Sequence, residues 1–277
     1  MSTESKIPKL AQALHTAARR YCDQQYRYWT EQYYELMRSG GDRAGPNYTP
    51  AALDIFPRYN VLSAIRVEIE RFDPDELHGF DETLELMHLA VGTATDEFTR
   101  RPINSIAADA MQAERDSLCT YLDSLTHEKL RTVEPLPYRR VLREDETKSA
   151  WGRLAARWYI EPGYWYPLAE SSIPSLLVFN ACSFQESVGD GLIQQLLRDH
   201  SVSRIWEFRE FGPGYLMDPD LLSPHYNGAE GYWSSEQMDW IIYASHESSV
   251  TVGGWVIEEI KRKWPEWKEH LWKATWL

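Results

Sequence analysis

Apolar residues along the first half of the chain recur every three or four positions, the spacing of one face of a helix. Leu10, Leu14, Ala17, Tyr21, Tyr28 and Leu36 predict one long helix over residues 5–39, stopped by Ser39-Gly40-Gly41. The stretch GGDRAGPNYTP that follows reads as a loop. Phe56, Leu62, Ile65 and Ile69 share a face and predict a second helix, Leu53 to Phe72, with Pro57 in the first turn of its main segment. Leu77, Phe80, Leu84, Met87, Val91 and Phe98 give the most regular stripe, a helix from Asp75 to Phe98. A fourth helix runs from Ile103 to Leu125. Four helices on short connections define an N-terminal helical bundle.

The pattern changes at Glu134-Pro-Leu-Pro137, where two prolines favour extended chain. The expected domains are therefore 1–134, the bundle, and 135–277, a domain of mixed elements. There, Tyr138–Leu142, Ser175–Asn180, Arg204–Phe211, Asp239–His246 and Ser249–Val252 read as strands. Glu144–Arg157, Phe184–His200, Trp255–Trp264 and Pro265–Trp272 read as helices. EPGYWYPLAESSIP reads as a proline-bounded loop or edge strand, and GPGY as a turn. MDPDLLSPHYNGAEGYWSSEQM reads as a long aromatic loop with one short helix. The fold class is α+β: a helical bundle followed by a mixed or antiparallel sheet, with its helices on one face.

The stretch DWIIYASHESSVTVGG concentrates the candidate chemistry. Alternation puts Trp240, Ile242, Ala244 and His246 on one side of a strand and Ile241, Tyr243, Ser245 and Glu247 on the other. Both sides are apolar for three residues, so the strand is central and covered twice. It emerges into Ser, His, Glu, Ser, Ser, a hairpin turn into SVTV. On this alternation His246 faces away from Ser245 and Glu247, so a catalytic triad needs partners from elsewhere. The strand RIWEFREF offers Glu210 or Glu207, although Glu207 with Arg209 reads more simply as a charge pair on a solvated face. Val252-Gly253-Gly254-Trp255 reads as close strand–helix packing, since it lacks the spacing of a phosphate-binding loop. Glu85 and His88 form a single ExxH, short of the two that a di-iron bundle uses.

Composition narrows the function classes. The net charge is −13, split −7 and −6 between residues 1–134 and 135–277, with no basic arm. Nucleic-acid binding needs the opposite sign. The cysteines, Cys22, Cys119 and Cys182, are scattered, without CxxC spacing or a disulfide framework, and fit a reducing compartment. There is no signal-like apolar segment near the start and no run long enough to span a membrane. A soluble, cytoplasmic protein without metal or cofactor is expected, its oligomeric state open. Aromatic clusters stand at YRYWTEQYY (26–34), GYWYP (163–167), EGYWSS (230–235) and WPEWKEHLW (264–272). Trp and Tyr at loop tips make interface hot spots, unless the two domains hide them from each other.

PYRRVL (137–142), GYWYPL (163–168) and EGYWSSEQMDWIIYASHESSVTVGG (230–254) resemble stretches of uncharacterised bacterial proteins with no established activity. The resemblance implies a bacterial, cytosolic origin and carries over no catalytic residue. The reading that fits these features is a protein-binding module, an immunity- or antitoxin-like inhibitor of a basic partner, with Tyr232, Trp233, Ser245, His246 and Glu247 as its contact residues. The alternative is a hydrolase with His246 as general base and Glu210 or Glu247 orienting it. A third reading is a structural subunit that homo-oligomerises through the helical half.

Overall fold

The computed structural model describes residues 10–160, 165 and 176–273. The chain divides into two compact units, Met1–Leu136 and Pro137–Leu277. The first is helical. It holds α1 (Leu10–Arg38), α2 (Pro50–Ile69), α3 (Phe80–Thr93), α4 (Ser105–Asp123) and the single turn α5 (His127–Leu130). A small ribbon of β1 (Arg43–Ala44) and β2 (Asn47–Tyr48) lies in the stretch expected to be a loop. Its core includes Leu14, Ala17, Ile65, Ile69, Met87, Val91, Leu118 and Leu122 from the four expected helices, together with Ala18 and Val61 beside the stripes.

The helix ends differ from expectation for identifiable reasons. Thr49 caps α2, accepting from Ala52 N at 3.2 Å, and Pro50 takes the first helical position, where a missing N–H costs nothing. Pro57 therefore lies inside the helix rather than in its first turn. The α3 helix is shorter than Asp75–Phe98. It begins after Gly79, and Asp96 Oδ1 accepts from the backbone N–H groups of Phe98 and Thr99 in a turn that replaces further helix. Phe98 is consequently exposed. On the second half of α1, Tyr26 and Tyr33 pack edge-on against Tyr59 and Arg58 covers Trp29, whereas Tyr28 and Tyr34 stay exposed.

The second unit is built on one seven-stranded sheet, antiparallel at every pairing, in the order β3-β6-β5-β7-β8-β9-β4. The strands are β3 (Arg139–Val141), β4 (Leu176–Asn180), β5 (Ile205–Arg209), β6 (Tyr215–Met217), β7 (Gly231–Ser234), β8 (Trp240–Ser245) and β9 (Ser249–Gly254). All six residues of β8 are buried, as its two apolar sides require. Helices cover both faces, not one. α6 (Glu144–Trp158) sets Ala150, Leu154 and Trp158 against Phe208, Tyr232, Ile241 and Tyr243. On the opposite face α7 (Ala181–Ser187), α8 (Gly189–Asp199) and α9 (Val256–Lys263) pack on Trp233, Trp240, Ile242, Ala244 and Val252. A β8 with apolar residues on both sides has to be covered twice, so helices on a single face would leave half of it wet.

Three further expectations are corrected. EGYWSS is not a loop: Gly231–Ser234 is β7, and Tyr232 and Trp233 are buried. The helix expected over Phe184–His200 is broken at Gly189, whose φ of +58° is open to glycine without strain. The C-terminal Pro265–Trp272 helix is a 3-10 turn, Trp267–His270, after which Leu271 bridges to Phe179. The EPGYWYPLAESSIP expectation lies outside the described residues apart from Trp165, which packs on Tyr243 at 5.2 Å. Gly253 behaves as the sequence suggested: a Cβ there would stand 2.7 Å from Leu176 and 2.8 Å from Trp158, so the missing side chain is what lets α6 rest on β9. Among the described residues no helix is long and apolar enough to cross a membrane.

Candidate functional site

Register places the site. Phe208 pairs with Tyr232, Tyr232 with Tyr243, and Tyr243 with Thr251, so these four form one rung across β5, β7, β8 and β9. One rung further on, the Glu210 N–H donates to the Glu230 carbonyl at 2.9 Å, and Ser245 pairs with Ser249. Side chains two residues apart share a face. The aromatic rung is therefore followed, on the α6 side of the sheet, by a rung of Glu210, Glu230, Ser245 and Ser249.

Glu230 organises this corner. Its Oε2 accepts from the Tyr243 hydroxyl at 2.6 Å, and its Oε1 accepts from Ser245 Oγ at 3.2 Å and lies 2.6 Å from His246 Nδ1. Its side chain is 15% exposed, so these bonds work with little competition from water. The strand ends at Ser245. His246, Glu247 and Ser248 form a three-residue hairpin turn, with Ser248 left-handed at φ 54°. Strict alternation does not extend through the turn, so His246 does not face away from Glu247: the Nε2 to Glu247 Oε1 distance is 3.3 Å. Tyr226 stands edge-on to the imidazole at 6.4 Å.

His246 thus lies between two carboxylates, one at each ring nitrogen, with 59% of its side chain exposed. Nδ1 forms a hydrogen bond to Glu230, and Nε2 stands at ion-pair distance from Glu247, an arrangement that favours the imidazolium. The hydrogen bond to Glu230 is the largest influence and raises its pKa; desolvation, the next, opposes it, and the charges of Glu230, Glu247 and Glu210 add to the rise. Burial first, and then the Glu230 contact, push the Tyr243 phenol upward as well, so it stays a donor.

The expected residues therefore come together only in part. Ser245, His246 and Glu247 share the corner, and Glu210 adds to its negative field. The direct partner of His246 is Glu230, which no local pattern in EGYWSS singles out; the register of β7 against β8 is the signal that places it. Trp233 lies on the opposite face, fully buried, with its ring folded over Gly231 and covered by Arg209 at 4.7 Å. It is a core residue and presents nothing to a partner. Tyr232 is buried on the α6 face and reaches only the wall of a cavity. Glu207 is buried, not solvated, and receives a 2.6 Å bond from Arg209 Nε.

Two cavities flank α6. The smaller, about 300 Å³, is bordered by Thr147, Trp151, Phe208, Glu210, Glu230 and Tyr232 and adjoins the His246 corner. The larger, about 760 Å³, does not reach that corner. Its arginines are already engaged: Arg140 with Glu146 at 2.8 and 2.9 Å, Arg204 with Asp218, and Arg153 with the Glu236 carbonyl. In the helical unit His88 lies 3.4 Å from Cys119 Sγ and 2.9 Å from Asp123. Burial, Asp123 and Asp116 raise the Cys119 thiol, which keeps it protonated and a poor nucleophile. Glu85 takes no part. Among the described residues no group of three or more His, Cys, Asp or Glu is arranged to hold a metal ion.

Comparison with known protein families, curated proteins and solved structures finds no match to this chain.

Proposed function

We propose that the chain is a protein-binding module, an immunity-like inhibitor of a basic partner in a bacterial cytoplasm, which meets that partner at the corner formed by Glu210, Glu230, Ser245, His246 and Glu247. The observation that carries this reading is His246 bridging Glu230 at 2.6 Å and Glu247 at 3.3 Å. Held by the Nδ1 hydrogen bond to Glu230, with the Glu247 carboxylate at ion-pair distance from Nε2, the imidazole orders carboxylates instead of taking a proton from a substrate. The Ser245 hydroxyl is turned to Glu230 and not to His246. What remains at the surface is a pre-organised acidic corner on a fully buried strand, in a chain of net charge −13. Such a surface speeds association with a basic protein and weakens with salt. Tagged full-length chain should retain one stoichiometric basic protein from lysate at moderate salt and release it at high salt. Glu247→Ala should weaken capture about tenfold, in the range of a charge contact at an interface. Equal capture by wild type and Glu247→Ala would refute the placement.

The 2.6 Å Glu230–His246 contact also favours a second reading, a hydrolase with His246 as general base. Glu230, rather than Glu210 or Glu247, would then orient the imidazole, and Nε2 would have to leave Glu247 to accept a proton. Ester hydrolysis abolished by His246→Ala and rising through the pKa of His246 would support it. An unchanged rate in that variant would remove it.

A further inference from the structure

The cavity under α6 has walls of an unusual combination, aromatic faces ending in two carboxylates. We propose that it receives a cationic side chain, the ammonium of a lysine or the guanidinium of an arginine, presented by the basic partner; this rests on the binding reading above and adds the residue type that the partner must carry. The cavity's volume, about 300 Å³, is at the small end of ligand sites and suits one side chain, not a cofactor.

The floor is the cross-strand pair Phe208–Tyr232, and the next rung is Glu210 opposite Glu230. Like charges directly opposed across two strands are destabilising. Glu230 is supported by Tyr243, Ser245 and His246, whereas Glu210 is exposed and forms no salt bridge among the described residues. A cation between the two carboxylates removes the repulsion. One wall is Trp151, half-buried on α6 and packed edge-on against Phe208 at 5.6 Å and Tyr232 at 5.1 Å, so the cation seats beside these rings and not between them. Tyr232 is fixed from beneath by stacking on Tyr243 at 4.6 Å. Ring faces attract ammonium and guanidinium groups, the more so where water is displaced.

Arg209 also borders the cavity but does not fill this role. Alternation turns it to the other side of the sheet, where it is held by Glu207 at 2.6 Å and lies on the Trp233 ring. The local field agrees: after burial, Glu230 and then Glu210 raise the pKa of the Tyr232 hydroxyl. An anionic ligand would meet two carboxylates, and a neutral one would leave Glu210 uncompensated.

The test titrates the full chain with N-acetyl-lysine amide, N-acetyl-arginine amide and the uncharged N-acetyl-norleucine amide, followed by NMR of the Trp151 indole and the Tyr232 ring. The two cations should give saturable shifts at these residues with millimolar affinity, and norleucine amide should bind at least about tenfold more weakly, which is about 1.4 kcal/mol. Glu210→Gln, an exposed and structurally mild change, should weaken the cations about fivefold and leave norleucine amide unaffected. Thr147→Trp should block all three by filling the mouth. Equal binding of the neutral amide, insensitivity to Glu210→Gln, or no saturable shift at about 50 mM probe, well beyond millimolar affinity, would overturn the proposal. The two readings fail separately. Probe binding without any basic partner retained from lysate would sink the partner reading alone. A partner lost on Glu247→Ala, with the cavity indifferent to both cations, would sink this one alone.

Discussion

Acidification should loosen the helical unit through one residue, His15. It lies on α1, 1% exposed, with Nε2 donating to the Ile69 carbonyl at 3.1 Å. Burial, and then the neighbouring Arg19, lower its pKa from 6.5 to about 4; the Ile69 bond and Asp73 oppose this without reversing it. Arg19 is itself buried and paired with Glu70 at 3.1 Å, so that carboxylate is already engaged when a second cation forms. The folded state therefore binds its proton later than the unfolded one. Stability is complete above pH 6.5 and is lost as the pH falls towards 4. At 1.36 kcal/mol per pH unit, that interval corresponds to about 3 kcal/mol, a large part of the roughly 5–15 kcal/mol a domain possesses. His15→Gln keeps an N–H near the Nε2 position but cannot titrate. Hydrogen exchange, followed for peptides of α1 and α2 between pH 4 and 7 and corrected for intrinsic rates, should show wild type losing protection with acid. His15→Gln should lose about 3 kcal/mol less. Parallel pH curves for the two proteins, or an imidazole that titrates near 6.5 by NMR, would refute the argument.

Other outcomes follow from the second unit. Glu146 receives both arms of Arg140 and the Arg143 N–H, and these hold its pKa near 2. Its stabilising effect is present above pH 4.5 and lost as the pH falls towards 2; Glu146→Gln should cost about 1–3 kcal/mol in urea unfolding at pH 7, after allowance for solvent screening, and an unchanged midpoint would contradict this. Trp233→Ala, deep in the sheet core, should cost about 3–5 kcal/mol, and a loss below 1 kcal/mol would mean the strand is not where the register puts it. His246 should titrate above 6.5 by NMR, and Glu230→Gln should return it towards that value; the His246–carboxylate contribution is present at low pH and fades as the pH rises through the raised pKa. No change in Glu230→Gln would remove Glu230 as its partner.

Regular stripes made much of the fold legible. β8 was readable because its two apolar sides demand a central strand, and α3 because its period is helical; the ends of α3 depended on the Asp96 turn, which competes locally with helix. β7 was hidden because four residues, one a glycine and one a serine, carry too short a pattern to distinguish from loop. That error also hid the site. Glu230 meets His246 across sixteen positions through strand pairing, and no local rule links them. Glu210 came close to the answer, since it stands opposite Glu230 in the next strand. His246 itself was legible as polar chemistry at the mouth of a buried strand, but its orientation was not, because alternation stops where the turn begins.

Gly253 gives the architecture a control that lies outside the corner it affects. The absent side chain lets Trp158 settle on β9, and this fixes how high α6 rides above the sheet. Trp151, two turns earlier on the same helix, packs edge-on against Phe208 and Tyr232 and takes its position from that height. A single methyl group at Gly253 would act as a shim: it would tilt the helix and change the headroom of the cavity without altering any residue that lines it. The shape of the cavity can thus be changed from the far end of the helix, while the carboxylates of Glu210 and Glu230 stay as they are.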